Sequence, residues 1–235
     1  LIWFGKFVKR YKNRIKSIDE FDYNNLNEND IFLSFDDGFH SNYMVAKNIL
    51  DKHHIKGLFF LTNNFLNLVP LESLNFAKKK LFPDSKIKNI SDIQSMNNNH
   101  IFYLIKNGHE IGCHTLNHPK LKSLNYPQQL KEIIESKIFL EKNFKIKINK
   151  FAYPFGNTKY INRDSIKIIE NNFKYSFTNI RGSIKMSPSN QLILRQNIVP
   201  GMPFWLTDAI IDSKINFLYN RERSRLKLLT FKKYL

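Results

Sequence analysis

Residues 31–38 read IFLSFDDG. Apolar residues climb into Phe35, two adjacent carboxylates follow at Asp36 and Asp37, and Gly38 closes the stretch. An apolar run of β character that halts at a glycine reads as a buried strand. Neighbouring strand residues face opposite ways, so two consecutive acids at its end cannot both point into solvent. At least one is held in low-dielectric surroundings, which is costly unless a metal, a cation or a proton compensates. A plain turn with an acidic lip also accommodates Asp-Asp-Gly, so the stretch gains meaning only from partners elsewhere in the chain.

Downstream, residues 41–54 carry a helical pattern through Val45, Ile49 and Leu50, and Gly57 opens a second strand at 58–62. The alternation repeats. Helical patterns at 100–106, 130–144 (Leu130, Ile133, Ile134, Phe139 and Leu140 inward), 165–172 and 205–218 interleave with strands at 110–113, 151–153, 175–178 and 192–194. About seven such units predict an α/β fold, a distorted (β/α) barrel of parallel strands with its chemistry at their carboxyl ends. Residues 63–98 hold no convincing unit and read as a long insertion flanking the cleft.

The chain of 235 residues, 42% hydrophobic and 14% aromatic, can bury a sizeable core. It carries 37 Lys and Arg against 20 Asp and Glu, a net charge of +17. Residues 1–16 hold six cations and no anion, and 221–235 six cations and one anion, so eleven of the net charges lie at the ends. The expected organisation is a basic N-terminal segment (1–29), a catalytic domain (30–220) and a basic tail (221–235). Phe4, Val8, Tyr11 and Ile15 form an apolar stripe among the first sixteen residues, which can lie on an anionic membrane or pack on the domain. No nucleic-acid partner is expected, because the charge sits at the ends and no reader motif is present. The single cysteine, Cys113, excludes an internal disulfide. No apolar run approaches the about 20 residues of a membrane span, and no signal peptide is visible. A cytoplasmic location, or a peripheral one at the inner membrane face, is the expectation.

His114 and His118 lie four apart in GHEIGCHTLNHPKL. On a helical turn that spacing puts both imidazoles on one face, and Pro119 argues for a single turn only. Two histidines and a carboxylate make a ligand set for a catalytic metal with positions left open.

These motifs, SFDDG, HTLNHP in its GHEIG context, and the strand-end turn FAYPFG at 151–156, resemble the polysaccharide deacetylase family (NodB homology, carbohydrate esterase family 4). The resemblance implies a NodB-like barrel and a metal-dependent hydrolase that removes N-acetyl groups from glycans. Carried over, it makes Asp37, His114 and His118 the metal ligands and Asp36 the general base. Phe155 supplies a backbone N–H to the oxyanion, and Ser34 and Thr115 support these groups. Tyr153, Pro154 and Gly156 fall at substrate-binding positions. Zinc is the expected metal, with cobalt, nickel or iron also compatible.

Two departures stand out. The arginine that opens the family's third motif is replaced by Ala152, and Arg195 or Arg181 could brace Asp36 instead. The histidine that protonates the leaving amine in the family has no counterpart after His118, which leaves His40 as a candidate acid. Expected substrates are an N-acetylated glycan or a lipid-linked sugar, with the basic ends favouring an anionic membrane surface. Deformylation of a lipid-linked formamido sugar, or sugar binding without hydrolysis, are the alternatives.

Overall fold

The computed structural model describes residues 1–83 and 93–230. Its first helix, α1 (Ile2–Tyr11), stops short of residue 16, because Ile15–Lys16 instead forms a short strand, β1. β1 pairs in parallel with β2 (Ile31–Phe32). Beyond Leu33 the chain continues as β3 (Ser34–Phe35) and switches partner to β4 (Leu58–Leu61). β5 (Glu110–Cys113), β6 (Lys150–Ala152), β7 (Tyr175–Phe177) and β8 (Leu192–Ile193) follow, and all pairings are parallel. The result is a six-stranded half-barrel in sequential order β3 to β8, the parallel (β/α) arrangement expected from the alternation, with six strands in the sheet where about seven units were expected.

Period-2 side-chain alternation divides the sheet into two faces. Leu58, Phe60, Ala152, Phe177 and Ile193 point inward, where Ile18 and Phe21 close the barrel floor. Phe59, Leu61, Ile111, Cys113 and Phe151 point outward into the main core under the helices. Burial of Phe59, Phe60 and Phe151, all fully inaccessible, contributes about 1.5–3 kcal/mol each.

The covering helices are α2 (His40–Val45, continued as π and 3-10 turns to His53), α4 (Asn98–Lys106), α5 (Tyr126–Phe144) and α6 (Arg163–Asn172). Asparagines begin three of them: Asn97, Asn125 and Asn162 each accept the N–H three residues on, which satisfies a donor that the helix itself cannot. The buried face of α5 is Ile133, Ser136, Leu140 and Phe144; Leu130 and Phe139, expected inward, are exposed. The insertion after β4 does contain structure, a helix α3 (Pro70–Phe76) continued by a π turn to Leu81. Residues 84–92 of the insertion lie outside the described residues.

α7 (Phe204–Ile211) and α8 (Asn220–Thr230) end the described chain, and Leu226 of α8 is fully buried. Of the two uses left open for the stripe of α1, the fold shows packing: Phe7, Val8 and Tyr11 are buried, and Trp3 stacks on Phe204 of α7. Among the described residues no helix is long and apolar enough to cross a membrane.

Candidate active site

Alternation explains why the acidic lip divides its labour. Ser34 precedes Asp36 by two and faces the same side, while Phe35 turns out to stack on Phe59 at 4.9 Å. Asp37 then enters the left-handed region (φ 74°), and Gly38 follows at φ 94°. Backbone bonds pin this turn: Thr62 N–H donates to the Asp37 carbonyl, Met96 N–H to that of Gly38, and Asn42 Nδ2 to that of Asp36. The turn sends the two carboxylates in different directions.

Asp37 meets the histidines. The Nε2 atoms of His114 and His118 each stand 3.4 Å from Asp37 Oδ1. Both rings are oriented from behind: His114 Nδ1 donates to the Ala152 carbonyl at 2.8 Å and His118 Nδ1 to the Lys80 carbonyl at 3.0 Å. With each Nδ1 proton engaged, the rings in their neutral form present Nε2 lone pairs to the carboxylate. Burial, and then His114, push His118 down to about 4; burial would lower His114 too, but Asp37 and Asp36 raise it. Asp37 Oδ1 is buried and has no hydrogen-bond partner. Three acceptors therefore converge with nothing between them to donate, and the three ligand atoms lie within 4.8 Å of one another. This donor set fits a divalent cation.

The His114–His118 segment is not the helical turn the spacing suggests. Thr115 (φ 68°) and His118 (φ 55°) are both left-handed, and His118 N–H donates to Thr115 Oγ1 at 3.0 Å. The imidazoles converge through a bend instead. Of the eight non-glycine residues with positive φ among the described residues, four (Asp37, Thr115, His118 and Phe155) belong to this site. Each costs about 1–3 kcal/mol and persists only where surrounding structure enforces it.

Asp36 meets arginine. Arg195 Nη1 and Nη2 donate to its two carboxylate oxygens at 2.7 Å each, a bidentate fork. Nη1 also reaches Ser34 Oγ at 3.1 Å, Nε donates to the Thr178 carbonyl at 2.8 Å, and the guanidinium lies over the Phe60 ring. Arg195 thus spans the gap between the last strand of the sheet and the first. Arg181 is elsewhere: its guanidinium stands over Tyr219. Burial raises the Asp36 carboxyl, but Arg195 outweighs it and holds the group at about 2.

Phe155, also left-handed (φ 57°), packs its ring against His118 at 4.6 Å. Among the described residues its N–H has no acceptor. Gly156 is obligatory: at φ 53°, an added Cβ would lie 2.4 Å from Asn179 N. Tyr153 is fully buried on the outer face with Phe151, two residues before it, and Pro154 and Gly156 are buried as well. The motif led to an expectation of substrate contact at these three, and the structure shows them buried in the turn itself. His40 lines the same cavity as Asp36, yet its ring packs on His100 (4.8 Å) and Tyr43. Sequence reasoning missed the Lys80 carbonyl behind His118; a backbone acceptor from an insertion leaves no residue-type signal.

Comparison with known proteins bears on the family and the fold. The family model for polysaccharide deacetylases matches residues 23–175. The poly-beta-1,6-N-acetyl-D-glucosamine N-deacetylase of Staphylococcus epidermidis is 29% identical over 151 residues, 63% of this chain and 47% of that protein. The chain spans about half the length of the curated relatives it matches. Among solved structures, the Streptococcus pyogenes deacetylase PplD in complex with acetate superposes with TM-score 0.68 at 22% identity, covering 88% of this chain and 85% of that one. IcaB from Ammonifex degensii gives 0.65 at 17% identity, covering 84% and 83%. At these identities the two structures support the fold.

Proposed function

The chain belongs to the polysaccharide deacetylase family, and from that premise we propose that it hydrolyses the N-acetyl group of an amino sugar in a polysaccharide or lipid-linked glycan precursor. Asp37, His114 and His118 would hold the divalent cation, for which zinc is the best match to two imidazoles and a carboxylate. When bound, such an ion polarises the substrate carbonyl and lowers the pKa of water toward about 7.

The remaining work falls to the chain's own groups. Asp36 accepts the proton of the attacking water, and Arg195 fixes the carboxylate in one orientation for that transfer. The free Phe155 N–H receives the oxyanion. The carbonyls of Ala152 and Lys80 hold the two imidazoles in the tautomer that leaves Nε2 available. Asp36, once protonated, is the group best placed to return that proton to the leaving nitrogen, because His40 is engaged with His100 and Tyr43.

The observation that carries this reading is the orphaned, buried Asp37 Oδ1 facing two imidazole nitrogens. The test is metal analysis of the purified protein together with acetate release from a panel of N-acetylated oligosaccharides, before and after chelation. About one divalent ion per chain and chelator-sensitive release are expected. Full release from metal-free protein, or none from any N-acetylated glycan, would overturn it.

A further inference from the structure

The ends of the molecule are not equivalent. α1 and α7 run side by side in the same direction: Trp3 stacks on Phe204, Arg10 and Tyr11 bind Asp208, and Arg14 binds Asp212. α7 follows the loop that leaves the carboxyl end of β8 just after Arg195. Ile198 and Pro200 of that loop line the same cavity as Asp36, together with Trp3 and Phe4 of α1, so both helices start at the active-site face. Large apolar side chains stand exposed there, Trp205 at 71%, Val199 at 56% and Ile2 at 82%. Lys6 and Lys9 lie exposed behind them on α1, without an acidic partner among the described residues.

The opposite lip repeats the pattern. The insertion touches the site through the Lys80 carbonyl on His118, and it exposes Val69 and Leu71 together with Lys78 and Lys79, with Glu72 as the acid among them. Between the lips opens a cavity of about 1320 Å³ whose walls include Phe4, Ile198 and Phe82 and which reaches Asp36 and Asp37. Apolar tips backed by cations at headgroup depth are the pattern of an interfacial protein. Aliphatic valine, leucine and isoleucine offer no stacking face for a sugar, so the pattern fits an anionic bilayer better than a glycan platform.

We propose that the active-site face docks on an anionic lipid surface, Trp205, Val199 and Ile2 entering the interface while the flanking lysines meet lipid phosphates, so that the cavity mouth opens toward the membrane. The contact differs from the one the sequence suggested, since the stripe of α1 is buried in the domain. It also stands apart from the hydrolytic reading, because docking requires neither metal nor turnover.

The experiment is co-sedimentation of the full chain with phosphatidylcholine vesicles, with and without 30% phosphatidylglycerol as an order-of-magnitude anionic fraction. In a Trp3→Phe background Trp205 is the sole tryptophan, and its emission is followed on vesicle addition. Binding to the anionic vesicles, a blue shift of Trp205, and at least tenfold weaker partition for Val199→Ser/Trp205→Ser and for Lys6→Glu/Lys9→Glu are expected. Equal partition of wild type and both double variants overturns the proposal. So does a Trp205→Ser variant that slows hydrolysis of soluble oligosaccharide while partitioning normally, which would make Trp205 a sugar platform. Because partition is read without catalysis, failure of the deacetylase reading leaves this result interpretable.

Discussion

Replacing Arg195 by methionine isolates the least expected feature of the site. Methionine retains much of the aliphatic stem over Phe60 and removes both donors to Asp36. Each charge-assisted bond is worth about 1.5–3 kcal/mol net, and Asp36 remains a third open to the cleft, so solvent compensates for part of the loss. If about 2–3 kcal/mol of this preorganisation is felt in the transition state, kcat/KM falls about 30- to 150-fold. Arg195 touches none of Asp37, His114 and His118, so bound metal should stay constant. The pH profile carries a second signature. With Arg195 present, Asp36 stays ionised down to about pH 2; without it, burial dominates and raises the carboxyl, so an acidic limb should move up into the measurable range. The assay is acetate release against pH for wild type, Arg195→Met and Arg181→Met, with metal content measured in parallel. Arg195→Met within threefold of wild type, or Arg181→Met equally damaged, would refute the reasoning.

Asp37→Ala should remove the bound divalent ion and all acetate release, with far-UV circular dichroism unchanged; metal retained at wild-type stoichiometry would contradict the ligand set. His40→Gln is expected to leave kcat/KM within about twofold, since its ring lies against His100 and Tyr43 rather than on the acid pair; a hundredfold loss would make it the missing acid. Gly156→Ala forces a Cβ onto Asn179 N in a left-handed backbone and should cost about 2–4 kcal/mol, lowering Tm by about 5–15 °C in thermal unfolding; an unchanged Tm would mean the turn is free to move. His109 accepts from Gly57 N–H and contacts Asp51, and burial lowers it below its ordinary value of 6.5 despite Asp51. Its contribution to stability is therefore complete above pH 6.5 and lost as pH falls through the depressed value. Urea unfolding of wild type against His109→Gln should show the gap narrowing below pH 6; a constant gap would remove the buried neutral histidine from the account.

The strands and the four central site residues were legible because their signals are local. Asp36–Asp37 ends an apolar run, His114 and His118 lie four apart, and period-2 alternation assigns each side chain a face. What escaped depends on distant partners. Arg195 and Arg181 are equivalent by residue type, and only the stagger of β8 beside the gap to β3 brings one of them onto Asp36. Ala152 is informative in the same way: it lies on the inner face with Phe60, and the guanidinium that the family motif supplies at this position arrives from the other side of the barrel, resting on that ring. The exposure of Leu130 and Phe139 was misread because an apolar type says nothing of which neighbour covers it. The histidine bend was misread because left-handed backbone at Thr115 and His118 has no glycine to announce it.

The absence of a histidine after His118 and the arrival of Arg195 at Asp36 bear on the same proton. A carboxylate held at about 2 is a weak base, which slows the first transfer unless the water has been made acidic. Once protonated, that same carboxyl is a strong acid, well suited to protonate a departing amine. In the proposed reaction Arg195 therefore trades basicity in the attack for acidity in the collapse. That trade suits a site in which one carboxylate serves both steps. It would be a handicap beside a dedicated imidazolium donor. On this view the Arg195 fork suits a carboxyl that serves both steps. A histidine introduced near the leaving group should then lessen the penalty of Arg195→Met, by relieving Asp36 of its second task.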